Sequence, residues 1–192
     1  MTVRIEVAEL GLPAIDALDV DAVAVFVGPE RPLQGFAGFA DWRLCGALSR
    51  AIRGDVFGSA PGEALLLPSG GRIRPPRVFC FGLPPVPLAP EAFAETARRA
   101  CEALQRAGSD AFATSLPPTS ADPATAARAW LEAAIRFPVG RQVLLGEARV
   151  LLRDLQAAKA TIKADAEILA PPSRVEMPAR GRASPPMGAV IR

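Results

Sequence analysis

The sequence predicts an α/β fold. Residues 77–82 form a short apolar run, rich in β-branched and aromatic side chains, that is typical of a strand buried on both faces. A proline-punctuated loop follows at residues 83–89, and residues 91–107 then take helical spacing. A strand, a loop and a helix in this order form half of a βαβ unit. The apolar stripe of the helix is predicted to contain Phe93, Ala97, Ala100, Cys101, Leu104 and Ala107.

The chain before residue 30 predicts two strands. Apolar and charged residues alternate over residues 3–7, which is the pattern of a half-exposed strand near a sheet edge. Residues 14–18 predict a short helical turn. Residues 20–27 are apolar almost throughout, so we predict a central strand with both faces covered.

The next segment predicts one helix and one further strand. Over residues 41–52 the apolar residues are spaced as a helical stripe, made of Trp42, Cys45, Leu48, Ala51 and Ile52. Arg43, Arg50 and Arg53 lie on or beside the polar side of this helix. An arginine row of this kind is ordinarily a solvated face, and phosphate contact is the alternative. Residues 64–67 predict a buried strand, close enough in sequence to the following strand to pair with it as a hairpin.

The last third of the chain predicts a strand, two helices and a tail. Residues 111–116 resemble a strand, and Asp122 followed by Pro123 is a typical helix start. Residues 143–163 favour a helix by their length, although short strands within them are an open alternative. We predict a folded domain over residues 1–168 and a disordered, proline- and arginine-rich tail over residues 169–192.

Composition excludes several classes of function. The 192-residue chain carries a net charge of only +2, and its excess of arginine lies in the tail, so a nucleic-acid partner is not expected. The chain contains no His, which excludes histidine acid–base catalysis and His-liganded zinc. The N-terminus lacks the pattern of a signal peptide and no apolar run approaches the length of a membrane span, so we predict a cytoplasmic protein.

The three cysteines, Cys45, Cys80 and Cys101, are far apart and lie within apolar segments. This spacing is unlike a CxxC metal pair or a disulfide framework. We therefore expect buried, reduced thiols. A nucleophilic role for Cys45 would lack a histidine to activate it.

Two glycine clusters lie in loops, at residues 58–62 and 69–71. Neither matches a P-loop or GxGxxG pattern, so both are expected to be turns rather than phosphate cradles. The loop at 83–89 stands where α/β sheets often bind ligands, but its prolines remove backbone donors that a phosphate would need. Carboxylates also occur in two clusters, Asp16/Asp19/Asp21 and Asp165/Glu167, and both clusters are expected to lie on the solvated surface. We predict no catalytic, cofactor-binding or metal-binding residue.

Four segments occur in a recognisable order: VDAVAVFV at 20–27, LCGAL at 44–48, RGDVFGSAPGEALLL at 53–67 and RVFCFGL at 77–83. Together they resemble the N-terminal domain of the leucyl aminopeptidases, or cytosol aminopeptidases. The similarity runs from about residue 20 to residue 108 and continues more weakly to residue 138. Ala60 stands where the family loop often has Lys, and Pro84 where the family has the last Gly of a G-L-G step.

The resemblance implies a three-layer α/β sandwich with a mixed central sheet, similar to macrodomains. The family's metal site lies in a separate catalytic domain around an N-T-D-A-E-G-R segment, and this chain contains no Asn. The resemblance therefore implies a protein that is not an enzyme and needs no cofactor.

We expect a stand-alone, non-catalytic module that acts through oligomerisation or protein–protein contacts, with a second copy or an aminopeptidase catalytic domain as partner. One alternative is a macrodomain-like binder of ADP-ribose or a nucleotide. Another is the N-terminal part of a split metallo-aminopeptidase, with peptidase activity only in trans.

Overall fold

A seven-stranded sheet forms the centre of the fold, in the order β3-β4-β2-β5-β6-β1-β7. The computed structural model describes residues 2–170, so the predicted tail lies, from residue 171 onward, outside the described residues. Strand β3 runs antiparallel to β4 and all other neighbours are parallel. The strands are β1 (Val3–Glu9), β2 (Ala22–Val27), β3 (Ala64–Pro68), β4 (Arg77–Gly82), β5 (Ala111–Thr114), β6 (Arg141–Gly146) and β7 (Ala166–Leu169).

Helices cover both faces of this sheet. They are α1 (Leu12–Ala17), α2 (Gly35–Arg43), α3 (Ala47–Arg53), α4 (Pro90–Arg106), α5 (Pro123–Arg136) and α6 (Ala148–Ile162). One core contains Ile15, Phe36 and Leu48 from α1, α2 and α3. The other contains Phe93, Trp130 and Leu155 from α4, α5 and α6. The predicted three-layer sandwich with a mixed sheet is therefore confirmed.

The predicted positions of the central strands and of two helices are confirmed. Strand β2 is paired on both sides, and β4 is buried along its middle four residues. Helix α4 buries the predicted stripe except Ala107, which is exposed at the helix end. At the start of α5, the Asp122 carboxylate accepts a hydrogen bond from the Thr125 N–H at 3.0 Å, as expected of an N-cap.

The single helix predicted over residues 41–52 is wrong. The chain forms α2 and α3 instead, because Cys45 and Gly46 turn it through left-handed conformations with φ of 54° and 77°. The Asp41 carboxylate then accepts hydrogen bonds from the N–H groups of Leu48 and Ser49, so a side chain of α2 caps α3. The turn also leaves Trp42 62% exposed instead of on a buried stripe.

Strand β3 pairs with β4 as the predicted hairpin, but it is not buried. It lies at the sheet edge, with its residues alternating between exposed and half-buried. Strand β1 lies one place in from the other edge, next to β7. The short strand β7 is not among the elements that the sequence predicts, although residues 166–168 lie within the predicted folded domain.

Residues 143–163 divide into a strand and a helix. Residues 143–145 belong to β6, and α6 begins only at Ala148. Glu147 separates the two elements, and the Glu9 carboxylate accepts a hydrogen bond from the Ala148 N–H at 3.2 Å. The alternative of a short strand is therefore correct for the first part of this range and wrong for the second.

Candidate functional site

A cleft opens at the carboxyl edge of the parallel strands. The chain leaving β2 enters α2 on one face of the sheet, whereas the chains leaving β4 and β5 enter α4 and α5 on the other. Such a reversal separates the loops and creates the crevice in which open α/β sheets bind ligands. The cavity at this edge measures about 430 Å³, within the range of small-molecule sites.

The lining of this cleft is mostly apolar. Phe26, Leu33, Phe36 and Leu116 supply much of the wall, and Glu30 is the one charged side chain among the described residues that line it. An apolar wall with few polar groups is usual for a small-ligand site. The cleft therefore offers an apolar ligand contact area and a single negative charge.

The Glu30 carboxylate folds back over the loop that carries it. Its Oε1 accepts a hydrogen bond from the Val86 N–H at 3.1 Å, and its Oε2 lies where a Cβ on residue 28 would stand, so a side chain in place of Gly28 would displace the carboxylate. Arg31 holds this loop in place by donating to the carbonyls of Gly28 and Glu30 at 2.7 and 2.8 Å.

The proline-rich loop at 83–89 has few donors to offer. The N–H groups of Leu83 and Leu88 bond to the carbonyls of Val27 and Pro118, each at 2.9 Å, and that of Val86 bonds to Glu30. The residues between them, at 84, 85 and 87, are prolines and have no N–H. Every backbone donor from residue 83 to residue 88 is therefore absent or already bonded, which is unfavourable for a phosphate.

The glycine cluster at 58–62 is packed against the end of β4. A Cβ at Gly82 would stand 2.7 Å from the Ser59 carbonyl carbon and 2.8 Å from that of Ala60, so the loop requires glycine there. The Ala60 N–H donates to the Glu63 carboxylate at 3.0 Å. The loop thus uses its own donor to close a turn.

The second glycine cluster also closes on itself. The buried Ser69 hydroxyl accepts a hydrogen bond from the Gly71 N–H and donates one to the Ile73 carbonyl, both at 3.3 Å. These bonds shape the turn between β3 and β4.

The acidic residues singled out in the sequence do not converge on one site. Asp16 pairs with Arg43 of α2, and Asp21 lies 3.1 Å from a guanidinium nitrogen of Arg77. Their partners are on different elements, which indicates that they tie loops to the sandwich. Asp165 accepts a hydrogen bond from the hydroxyl of Thr2.

The three cysteines are free thiols, but only two are buried as predicted. Burial raises the pKa of Cys80 and of Cys101 to about 12, so both remain protonated. Cys45 is exposed at the turn between α2 and α3, and an Arg72 guanidinium nitrogen lies 2.8 Å from its sulfur. The sequence did not predict this exposure, because the continuous helix expected there places Cys45 on its apolar stripe.

A second surface feature is the open edge of β3. The Gly82 N–H donates to the Glu63 carbonyl and the Ser69 N–H donates to the Pro76 carbonyl, both at 2.9 Å. These two bonds fix which residues of β3 face β4. By alternation, Leu65 and Leu67 also direct their backbone groups toward β4. The backbone groups of residues 64, 66 and 68 therefore point away from the sheet.

The side chains along this edge are apolar. Leu66 is 53% exposed, and Ala64 and Pro68 beside it on the same face are also exposed. No residue of β3 is charged. Charges, bulges or covering segments usually protect an edge strand, and β3 has neither a charge nor a covering strand in the part of the chain that the structure describes.

The comparisons with known proteins bear on the fold. No protein-family model and no curated protein matches the sequence. A mutant macrodomain from Oceanobacillus iheyensis with ADPR is similar to it at 16% identity and a TM-score of 0.61, covering 83% of this chain and 92% of that chain. The macrodomain of Mycobacterium tuberculosis DarG is similar at 13% identity and a TM-score of 0.53, covering 76% and 99%. The chain has the macrodomain fold.

The leucine aminopeptidases also appear among the similar structures. A mutant of the tomato enzyme matches at 14% identity and a TM-score of 0.56, covering 82% of this chain. The matched region spans only 36% of the length of that enzyme. At an identity this low, the structural similarity establishes a shared fold and nothing more, and this fold is the one that the sequence resemblance implied.

Residues 2–170 contain neither a metal-binding cluster nor a membrane-spanning helix. No group of three or more Cys, Asp or Glu side chains in this range is arranged to hold a metal ion. None of the helices in the same range is both long and apolar enough to cross a membrane.

Proposed function

We propose that this chain is a non-catalytic module of the macrodomain fold that acts through protein contacts, and that its partner is a second copy of itself. The observation that carries the proposal is the open, uncharged edge of β3 with the exposed side chain of Leu66. An edge of this kind is a template for pairing with another strand.

The experiment that tests this function is the native mass of the purified protein, measured by light scattering after size exclusion at a low and a high concentration. We expect a mass above that of one 20.1 kDa chain that increases with concentration. A mass of one chain at every concentration would end the proposal of self-association.

A second candidate function is binding of a small molecule in the cleft. The 430 Å³ cavity at the carboxyl edge of the sheet favours it. One structure of the same fold carries ADPR. In this chain, however, the Glu30 carboxylate and the occupied donors of the proline-rich loop disfavour a diphosphate. The ligand class that fits the lining is an apolar molecule that is neutral or cationic.

Calorimetry with ADP-ribose and with an apolar amine of similar size to the cavity separates these ligand classes. Binding of the amine and not of ADP-ribose would support a cleft that selects apolar, neutral or cationic molecules. Tight binding of ADP-ribose would contradict the role assigned to Glu30, and no heat with either ligand would end the candidate.

A further inference from the structure

We infer that two copies of this chain pair through β3, antiparallel and about a two-fold axis, so that their sheets join into one continuous sheet. The inference rests on the proposed self-association and adds the surface and the orientation. Two-fold symmetric contacts are the commonest way in which identical chains associate, and they require a surface that is complementary to itself.

The backbone of β3 meets this requirement. Its outward-facing positions supply the N–H groups of Ala64 and Leu66 and the carbonyls of Ala64, Leu66 and Pro68. In an antiparallel pair, both donors of each copy can reach carbonyls of the other. Pro68 has no N–H, but it stands at the end of the strand, where proline is tolerated at a sheet edge.

The side chains on one face of β3 would then be covered. Ala64, Leu66 and Pro68 all point toward the face of the sheet on which α4 packs, because Leu66 lies opposite Phe79, a member of that core. Residues opposite each other in antiparallel strands approach closely enough for their side chains to pack. Pairing therefore places the exposed Leu66 side chain of one copy against apolar side chains of the other.

The charges that flank β3 select the antiparallel orientation. Glu63 precedes the strand, and the exposed Arg74 follows it in the turn that leads to β4, whereas Arg72 of the same turn is hydrogen-bonded to Cys45. Antiparallel pairing brings the acidic end of one copy near the basic turn of the other. Parallel pairing would bring like charges together, which is unfavourable.

The size of this contact sets its strength. A strand of five residues buries less surface than the ~1,200 Å² of a standard stable interface. The dimer is therefore weak and depends on concentration.

Substitutions of Leu66 test the pairing, with sedimentation velocity of the full chain over a range of concentrations as the measurement. Leu66→Pro removes an outward N–H without removing a hydrogen bond to β4, and Leu66→Lys places a charge at the contact. Each is expected to weaken the dimer about tenfold or more. Val56→Lys is the matched control, because Val56 is 69% exposed and lies outside β3, and it should leave the dimer unchanged. Circular dichroism checks that each variant is folded.

The outcomes separate the pairing from the function on which it rests. A dimer that persists in both folded Leu66 variants would overturn the pairing and leave self-association standing. Equal loss in Val56→Lys would also overturn it, because the effect would then be one of added charge alone. A wild-type chain that is monomeric throughout would overturn self-association itself.

Charge reversal tests the orientation. Arg74→Glu should weaken the dimer, because it would face Glu63 of the other copy, and the double variant with Glu63→Lys should restore it. A double variant weaker than both single variants would contradict the antiparallel arrangement.

Discussion

The Glu30 carboxylate accepts a hydrogen bond from the Val86 N–H at 3.1 Å and so joins the loop after β2 to the loop after β4 at the cleft. A backbone donor that could have faced an anionic ligand is thereby taken by a side chain of the protein. The cleft of this chain thus carries its own negative charge where an approaching phosphate would be repelled.

Glu30→Gln should therefore improve binding of an anionic ligand. We expect the affinity for ADP-ribose to rise by about fivefold over the wild type, as removal of one nearby like charge allows. Isothermal calorimetry at low salt measures it. Glu91→Gln, an exposed carboxyl that does not line the cleft, is the control and should change nothing. Equal affinities in all three proteins would contradict the repulsive role of Glu30.

Gly82→Ala should destabilise the fold. The added Cβ would meet backbone atoms of Ser59 and Ala60, which cannot rotate away as a flexible side chain could. We expect a loss of about 1–3 kcal/mol in the free energy of unfolding, measured by urea denaturation. Gly11→Ala is the comparison, because its nearest contact would be an ordinary 3.7 Å to Pro13. Similar stability of the two variants would argue against the close packing of the 58–62 loop.

Leu104→Ala should also be costly, since Leu104 of α4 is fully buried against the sheet. Removing its side chain leaves a cavity in the core, and we expect a loss of roughly 2–5 kcal/mol by the same measurement. Val56→Ala removes an exposed side chain and should change stability by less than about 0.5 kcal/mol. A loss below that level at Leu104 would refute the assignment of the buried stripe.

Glu6 should contribute stability that acid removes. Arg141 on the neighbouring strand donates to both carboxylate oxygens, at 2.8 and 3.0 Å, and this holds the pKa of Glu6 below its usual value of 4.5 despite partial burial. A group whose pKa is lowered on folding stabilises the protein above its unfolded pKa and loses that effect as the pH falls through the folded pKa. Near neutral pH, the free energy of unfolding of the wild type should exceed that of Glu6→Gln by less than about 1 kcal/mol.

The difference between wild type and Glu6→Gln should shrink as the pH falls below about 4.5, since the carboxyl then becomes neutral in both states. Thermal or urea unfolding at several pH values measures it. A difference that grows in acid would have the wrong sign for this ion pair.

The cysteines should differ in reactivity. Cys45 is exposed and should react rapidly with a thiol reagent in the native protein, whereas Cys80 and Cys101 should react only on unfolding. Burial raises the pKa of both of the latter to about 12, which suppresses the reactive thiolate. Mass spectrometry after brief labelling counts the modified thiols. Two or three rapid modifications would indicate an open core.

The sequence by itself determined the α/β class, the buried strands β2 and β4 and the helices α4 and α5. These depend on local signals: continuous apolar runs for strands, a 3.6-residue apolar period for α4, and Asp122 before Pro123 for the start of α5. Each of these signals depends only on residues close together in the sequence, so it can be recognised without knowing which elements pack together.

The tertiary structure decided which features face solvent and which meet. The left-handed turn at Cys45 and Gly46 divides the predicted helix and lets the Asp41 carboxylate of α2 accept a hydrogen bond from the Leu48 N–H of α3. Arg99 of α4 donates to the carbonyl of Gly62 at 2.7 Å, a contact between residues 37 positions apart, while Glu95 pairs with Arg98 on the same helix.

The two surfaces on which the proposed functions depend, the β3 edge and the cleft, were also decided by the tertiary structure. An apolar run such as that of β3 predicts a strand, but whether it lies inside the sheet or at its edge depends on the strand order. Likewise, Glu30 and Val86 are 56 residues apart in sequence and meet only because β2 and β4 are neighbours. Strand order is a property of long-range pairing, and the period of a single strand does not encode it.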